Sequence, residues 1–461
     1  MKLRNLLLAL VCLLVFIAFG VVFFRTWVEQ KPFGIILFVA DGLSPNSLTA
    51  ARLYQGGADH KLGIESFPHL ALVKNYSNDF AVPDSAAAAT AIATGVKGNN
   101  RAISVDSKGK ELRSLLALAR DSGRATGIIT TGKLTDAAPA AFFAHTTDGR
   151  DLQSIAQQFV SNDGVDIALG GGLEDFTPES KGGARKDGRD LWLEVRSKGY
   201  TPVRTKAELE STPAFLNGPL IGLFADGAFS YSTQVEGATQ QPSLSEMVRR
   251  GIEFLQTNRR GYLLVVDAAL ISRAASQNDS ERVLTETIDF DNAVSTALKY
   301  AGEKTLIIAV GKHDVGGLSL NGYPLRGDHG VALLGTNAAG IPATTWSTGP
   351  NGTRAAEPQA SPAVQSGTAA TTGSAPTLPL PSPAVTGSPA LSASAVTAST
   401  PTGTAPQKPT QNSKNEPAAF AAPEAINTAR DMISIATGPG AESVNGFIDN
   451  TDVFKIIKKE L

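Results

Sequence analysis

In the stretch Val82-Pro83-Asp84-Ser85-Ala86-Ala87-Ala88-Ala89-Thr90, a serine stands between an acid and an alanine run. Alanine is the strongest helix former, so a helix is expected to start at Ala86. The unpaired N–H groups and positive dipole of its first turn would then lie beside the Ser85 hydroxyl, where an anion such as phosphate is held as it reacts. The chemistry this spacing allows is attack by Ser85 on that anion. The plainer alternative is that Asp84 or Ser85 only caps the helix.

Such a serine needs a scaffold, and the chain supplies one pattern repeatedly. Apolar runs unbroken by polar alternation occur at Gly34–Val39, Gly127–Ile129, Asp166–Leu169, Tyr262–Val266 and Thr305–Val310. Runs of this kind read as buried parallel strands. Each ends in polar or glycine-rich residues, the edge where open α/β sheets place their chemistry. Ser243 and Glu246 have capping-box spacing and open a helix. A closing strand is expected at Asp431–Ile435 and a terminal helix from Asp452. The expected fold class is α/β, a three-layer α/β/α sandwich around a mostly parallel central sheet. No internal repeat is visible.

Length and charge narrow the field. A chain of 461 residues can bury one large α/β core with appendages. Forty-one basic residues nearly balance 43 acidic ones, leaving a net charge of −2 and no field that would draw nucleic acid. Cys12 is the only cysteine, so neither a disulfide nor a thiolate metal site is available. Lys2 and Arg4 precede an uncharged apolar run, Leu6–Phe24, long enough to span a membrane with its N-terminal end in the cytoplasm. Ala18-Phe19-Gly20 has the form of a cleavage site, but the apolar run continues past it, which suits a retained anchor better. Residues 354–419 are dominated by proline, serine, threonine and alanine and are expected to form a disordered spacer. The expected organisation is therefore a cytoplasmic stub and transmembrane anchor over 1–30, the large α/β domain over 31–353, the spacer over 354–419, and the closing strand and helix of the same domain over 420–461. The globular part is expected outside the cytoplasm.

Seven blocks, in order, resemble the alkaline phosphatase family: FVADGLSPNSLTAARLYQGG, VPDSAAAATAIATGVKGNNRAISVD, TTGKLTDAAPAAFFAH, DIALGGGLEDFTP, GLFADG, GKHDVGGLSLNGYPLRG and ATGPGAESVNGFIDNTDVF. The resemblance covers nearly all of the chain outside the anchor and spacer. It implies an alkaline-phosphatase-like fold, a homodimer, and a serine that is phosphorylated by a phosphomonoester and then released by water. It also implies two zinc ions and a magnesium ion. On this resemblance Ser85 falls on the nucleophile and Asp84 on its acidic neighbour. Arg150 falls on the arginine that grips phosphate oxygens as a fork, although His145-Thr146-Thr147-Asp148-Gly149-Arg150 is one residue longer than the usual spacing. A solvated loop arginine is the alternative for Arg150.

The metal-holding positions depart from the family pattern. Where the family reads roughly V-E-G-x-x-I-D-H-A-x-H-A-N-D, this chain reads Val266 to Asp279 with Ser272 and Ser276 in place of an aspartate and a histidine. The first zinc's remaining histidine falls near Asn351. Neutral Ser and Asn oxygens are poor zinc ligands. The second zinc position keeps Asp41, His313 and the Ser85 oxygen, but Lys312 stands where the family has an aspartate. An ammonium there is expected to exclude zinc, or to pair with Asp41 and supply part of the missing positive charge. At the magnesium position Asp41 is shared, Asp267 shortens a glutamate, Asp136 matches an outer acid and Ala138 replaces a hydroxyl ligand. Magnesium accepts oxygen ligands and retained waters, so this ion is the cofactor left open. Of the five histidines, only His313 aligns with a zinc ligand. His145 reads as a packed residue and His329 as a turn residue or an unorthodox ligand.

Three functions follow as expectations. The first is a phosphatase homologue with lost or strongly reduced zinc-dependent hydrolysis that binds phosphate or a phosphomonoester ligand. The second is a working phosphoric monoester hydrolase with an atypical metal site. The third is a cell-envelope scaffold whose spacer carries a partner.

Overall fold

The computed structural model describes residues 2–27, 33–161, 165–215, 218–234, 240–321, 341–355 and 416–461. Ten strands build the main sheet: β1 (Gly34–Ala40), β2 (His69–Lys74), β3 (Ala125–Lys133), β4 (Ile167–Gly171), β5 (Thr201–Val203), β6 (Leu220–Leu223), β7 (Tyr262–Ala268), β8 (Thr305–Gly311), β9 (Met432–Thr437) and β10 (Gly446–Asp449). Their order is β10-β2-β9-β8-β1-β7-β3-β4-β6-β5. Every pairing is parallel except those of β9, which runs antiparallel to both β2 and β8. The sheet is thus large and mixed.

The alternation of side chains along β1 shows why both faces must be covered. Ile36 and Phe38 enter one apolar cluster, with Ile252, Phe290 and Val294. Ile35 and Leu37 enter another, with Ile92, Val453 and Ile457. All four β1 side chains are fully buried, so the strand needs helices on each side. The helices that matter for the site are α1 (Lys2–Trp27), α2 (Ser85–Thr94), α3 (Ala137–Ala140), α4 (Leu244–Leu255), α5 (Leu270–Ala275), α6 (Ser280–Ala301) and α7 (Asn450–Glu460). Helix α4 opens with the expected box: Glu246 N–H donates to Ser243 Oγ at 3.2 Å, and Ser243 N–H to Glu246 Oε2 at 2.9 Å.

Two expectations need revision. The spacer is not bounded at 354 and 419, because Gly352–Ala355 and Ala418–Ala421 are strands of a separate four-stranded sheet with Ser319–Leu320 and Thr344–Gly349. Their backbone groups pair with one another, which composition alone does not reveal; residues 356–415 lie outside the described residues. The apolar N-terminal run is helical, as α1, but its role as a transmembrane anchor is not supported. Among the described residues no helix is long and apolar enough to cross a membrane.

Candidate active site

The carboxyl ends of three adjacent parallel strands converge. Ala40 of β1 pairs with Ala268 of β7 on one side and Gly311 of β8 on the other, so Asp41, Asp267 and the Lys312-His313 pair emerge at one edge. The ladder runs on past the strands: Lys312 N–H donates to Ala40 O at 2.9 Å, and Gly42 N–H to His313 O at 2.7 Å. Gly311 is required by close approach, since a Cβ there would meet Leu43 O at 2.2 Å. Asp41, Asp267, Lys312 and His313 are all buried.

Ser85 is the first residue of α2, and Asp84 is its N-cap. One Asp84 oxygen, Oδ1, accepts from Ala87 N–H at 2.9 Å, while Oδ2 accepts from Arg101 N–H at 2.6 Å. Capping by Asp84 and presentation of Ser85 are therefore a single arrangement. Lys312 Nζ donates to Ser85 Oγ at 2.6 Å and lies 2.7 Å from Asp41 Oδ1, with no side-chain exposure. Ser272 Oγ donates to Asp41 Oδ2 at 3.1 Å, and His313 Nδ1 lies 3.4 Å from Asp41 Oδ1.

Burial by itself raises the Asp41 pKa, but the Lys312 and His313 charges outweigh it and hold the carboxyl well below its ordinary range. Lys312, paired with Asp41, is the donor in its contact with Ser85. Asp267 behaves oppositely: burial pushes it up to about 7, against the pull of Lys312. Its Oδ2 accepts from Thr130 Oγ1 at 2.6 Å. Burial also raises Asp136, whose Oδ2 accepts from Lys133 N–H at 2.8 Å.

A cavity of about 360 Å³ brings Ser85, Asp41, Asp136, Asp267, Lys312 and His313 together. Ala138 and Ser272 also line it. Arg273 does too, an exposed residue of α5 that sequence reasoning missed. The signal available was its place directly after Ser272, as the only charge in that turn. Arg150 is not among the lining residues; it is exposed, and its N–H donates to Asp148 Oδ1 at 3.2 Å. Ser276 and Asn351 do not line the cavity either. His145 is held at the edge of a different cavity, of about 880 Å³, by a 2.9 Å contact from Nδ1 to Ser104 O. His329 lies outside the described residues.

Among the described residues, no group of three or more His, Cys, Asp or Glu is placed to hold a metal ion, and Lys312 already occupies Asp41. Asp267 Oδ1 and His313 Nδ1 have no hydrogen-bond partner among the described residues. An oxygen-seeking cation such as magnesium takes carboxylate oxygens of the type that Asp41, Asp136 and Asp267 bring to the cavity wall. It would supply polarisation of a phosphoryl oxygen.

A family profile described as alkaline phosphatase matches residues 34–461. Alkaline phosphatase 4 of Bacillus subtilis (strain 168) is 31% identical over 313 residues, 65% of each chain. The alkaline phosphatase of Escherichia coli (strain K12) is 33% identical over 339 residues, 63% of this chain and 72% of that one. The chain thus spans just under two thirds of the Bacillus protein's length. Among solved structures, alkaline phosphatase from Thermus thermophilus superposes with a TM-score of 0.67 at 24% identity, covering 94% of this chain and 92% of that one. That from the Antarctic bacterium TAB5 gives 0.66 at 21%, covering 94% and 98%. A variant of the latter has Mg bound in its M3 site. At these identities the structures speak for the fold alone.

Proposed function

The chain belongs to the alkaline phosphatase family, and from that premise we propose that it binds phosphate or a phosphomonoester at Ser85 while its zinc-dependent hydrolysis is lost or strongly reduced. The observation that carries this reading is the buried Lys312 ammonium, in contact with both the Ser85 hydroxyl and the Asp41 carboxylate. A +1 charge about 4 Å from a +2 ion is repelled by roughly 8 kcal/mol at an effective dielectric near 20. The same ammonium stabilises negative charge on an oxyanion or on the Ser85 oxygen. Arg273 on the cavity wall and Arg150 on its loop are the candidate forks for phosphate oxygens.

Turnover needs more than a grip. A serine nucleophile is weak unless a base or a metal takes its proton, and Lys312 Nζ, which donates to Ser85 Oγ and is paired with Asp41, serves neither purpose. The test is zinc content and p-nitrophenyl phosphate hydrolysis of the full chain, with Ser85→Ala as control. Phosphate binding without turnover supports the reading. Two zinc ions per chain with Ser85-dependent hydrolysis refute it, and neither binding nor turnover favours an envelope scaffold.

The second reading, an active phosphoric monoester hydrolase with an atypical metal site, is favoured by the unpartnered Asp267 Oδ1. It predicts magnesium-dependent turnover. Membrane anchoring with the globular part outside the cytoplasm is proposed from the sequence alone, on Lys2, Arg4 and the uncharged Leu6–Phe24 run. Release of the full chain from membranes by alkaline carbonate would contradict it. A homodimer is proposed on family grounds alone, and sedimentation measures it.

A further inference from the structure

Among the described residues, Arg101 is one of three non-glycine residues with positive φ, at 72°, a left-handed conformation that strains an L-residue. Strain of this kind persists only where surrounding contacts over-determine it. Here the contacts join the nucleophile's neighbour to the loop that carries Arg150. Arg101 N–H donates to Asp84 Oδ2 at 2.6 Å, and Arg101 O accepts from Gly149 N–H at 2.7 Å. Its guanidinium donates to Asp148 Oδ2 at 2.9 Å. Below this contact, Ile103 and Thr146 exchange backbone hydrogen bonds of 2.8 and 3.0 Å. A Cβ on Gly149 would sit 2.9 Å from Ile103 Cδ1 and 3.1 Å from Arg101 O, so the loop fits closely only with glycine there.

Asp148 divides its carboxylate. Oδ2 faces the Arg101 guanidinium, and Oδ1 accepts from the Arg150 N–H at 3.2 Å. One carboxylate therefore ties Arg101 to the backbone of Arg150 while the latter stays exposed, away from the lining of the Ser85 cavity. The contact is an open one, with side chains about half exposed, 51% for Arg101 and 48% for Asp148. Exposed pairs of this type are weak and salt-sensitive, the property of a contact that can release. Inside the cavity the Lys312 charge is already met by Asp41, so an arriving dianion has reason to draw in a further cation.

We infer that Arg101 is a positioning residue that, through Asp148, parks the 146–150 loop with Arg150 outside the Ser85 cavity, and that Arg150 grips a bound oxyanion only when this contact opens. The inference rests on the reading that phosphate binds at Ser85. Inorganic phosphate is titrated by calorimetry into the full chain and into Asp148→Asn, Arg101→Ala, Arg101→Lys, Arg150→Ala and the Asp148→Asn/Arg150→Ala double variant. Breaking the contact with Asp148→Asn or Arg101→Ala tightens phosphate binding by up to about fivefold, the ceiling for one exposed ion pair. Arg101→Lys keeps the parent affinity. The gain vanishes when Arg150 is absent, and it shrinks as salt rises to about 0.5 M. Unchanged or weaker binding in Asp148→Asn, or a gain that survives Arg150→Ala, overturns the inference and leaves the phosphate site standing. Failure of the parent chain and every variant to bind phosphate removes the phosphate reading and this inference together.

Discussion

Replacing Lys312 with aspartate tests the site where its charge is most concentrated. The side chain is fully buried, in contact with Ser85 Oγ at 2.6 Å and Asp41 Oδ1 at 2.7 Å. Lys312→Asp turns a repulsion of about 8 kcal/mol toward a zinc ion some 4 Å away into an attraction of similar size. If relaxation and water penetration leave only a quarter of that swing, roughly 4 kcal/mol remains, about three orders of magnitude in zinc affinity. The assay is zinc per chain after equilibration and dialysis, measured by mass spectrometry, with p-nitrophenyl phosphate turnover alongside. A Lys312→Ala variant separates loss of the cation from gain of a ligand, and circular dichroism checks that each chain folds. Zinc uptake rising from parent to Lys312→Ala to Lys312→Asp is the expected order. Equal uptake by all three folded chains would refute the electrostatic reasoning.

Three further outcomes concern buried positions elsewhere around the sheet and at Asp41. Asp41→Asn leaves the buried Lys312 ammonium without its counter-charge and should cost about 3–5 kcal/mol in urea unfolding, the usual penalty for halving a buried pair. Glu416, whose Oε2 accepts from Thr344 Oγ1 at 2.8 Å and Trp346 Nε1 at 3.0 Å and also from Ser280, is pushed by burial from 4.5 up to about 7. The folded chain therefore keeps that proton longer than the unfolded one: the stabilisation is complete below the ordinary glutamate pKa, erodes as pH rises, and is gone above about 7. Relative to Glu416→Gln, the parent should lose about 3 kcal/mol between pH 4 and pH 8 in urea unfolding, and a flat difference would contradict it. Gly311→Ala drives a methyl to within 2.2 Å of Leu43 O, so thermal unfolding should show a loss of about 1–3 kcal/mol.

What the sequence revealed follows physical lines. Strands β1, β3, β4, β7 and β8 were legible because they are buried on both faces and read as unbroken apolar runs. Strand β5 is only three residues long, β2 alternates and leaves Leu70 exposed, and β10 is a four-residue edge strand. Such segments carry too little pattern to be read alone. The capping geometry of Asp84 was legible because it is local. The contact between Lys312 and Ser85 spans 227 positions and depends on the β1–β8 register, which no local signal encodes. The placement of Arg150 outside the cavity and of Arg273 on its wall likewise depends on how loops settle around the sheet edge. Family membership was legible because several blocks keep their order along the chain.

The central claim is that a buried ammonium, not zinc, supplies the positive charge beside Ser85. Its most direct test is calorimetric titration of the full chain with inorganic phosphate before and after exhaustive treatment with a zinc chelator. The account predicts the same affinity in both states and loss of binding in Lys312→Ala; phosphate binding that disappears with the chelator and returns with added zinc would contradict it.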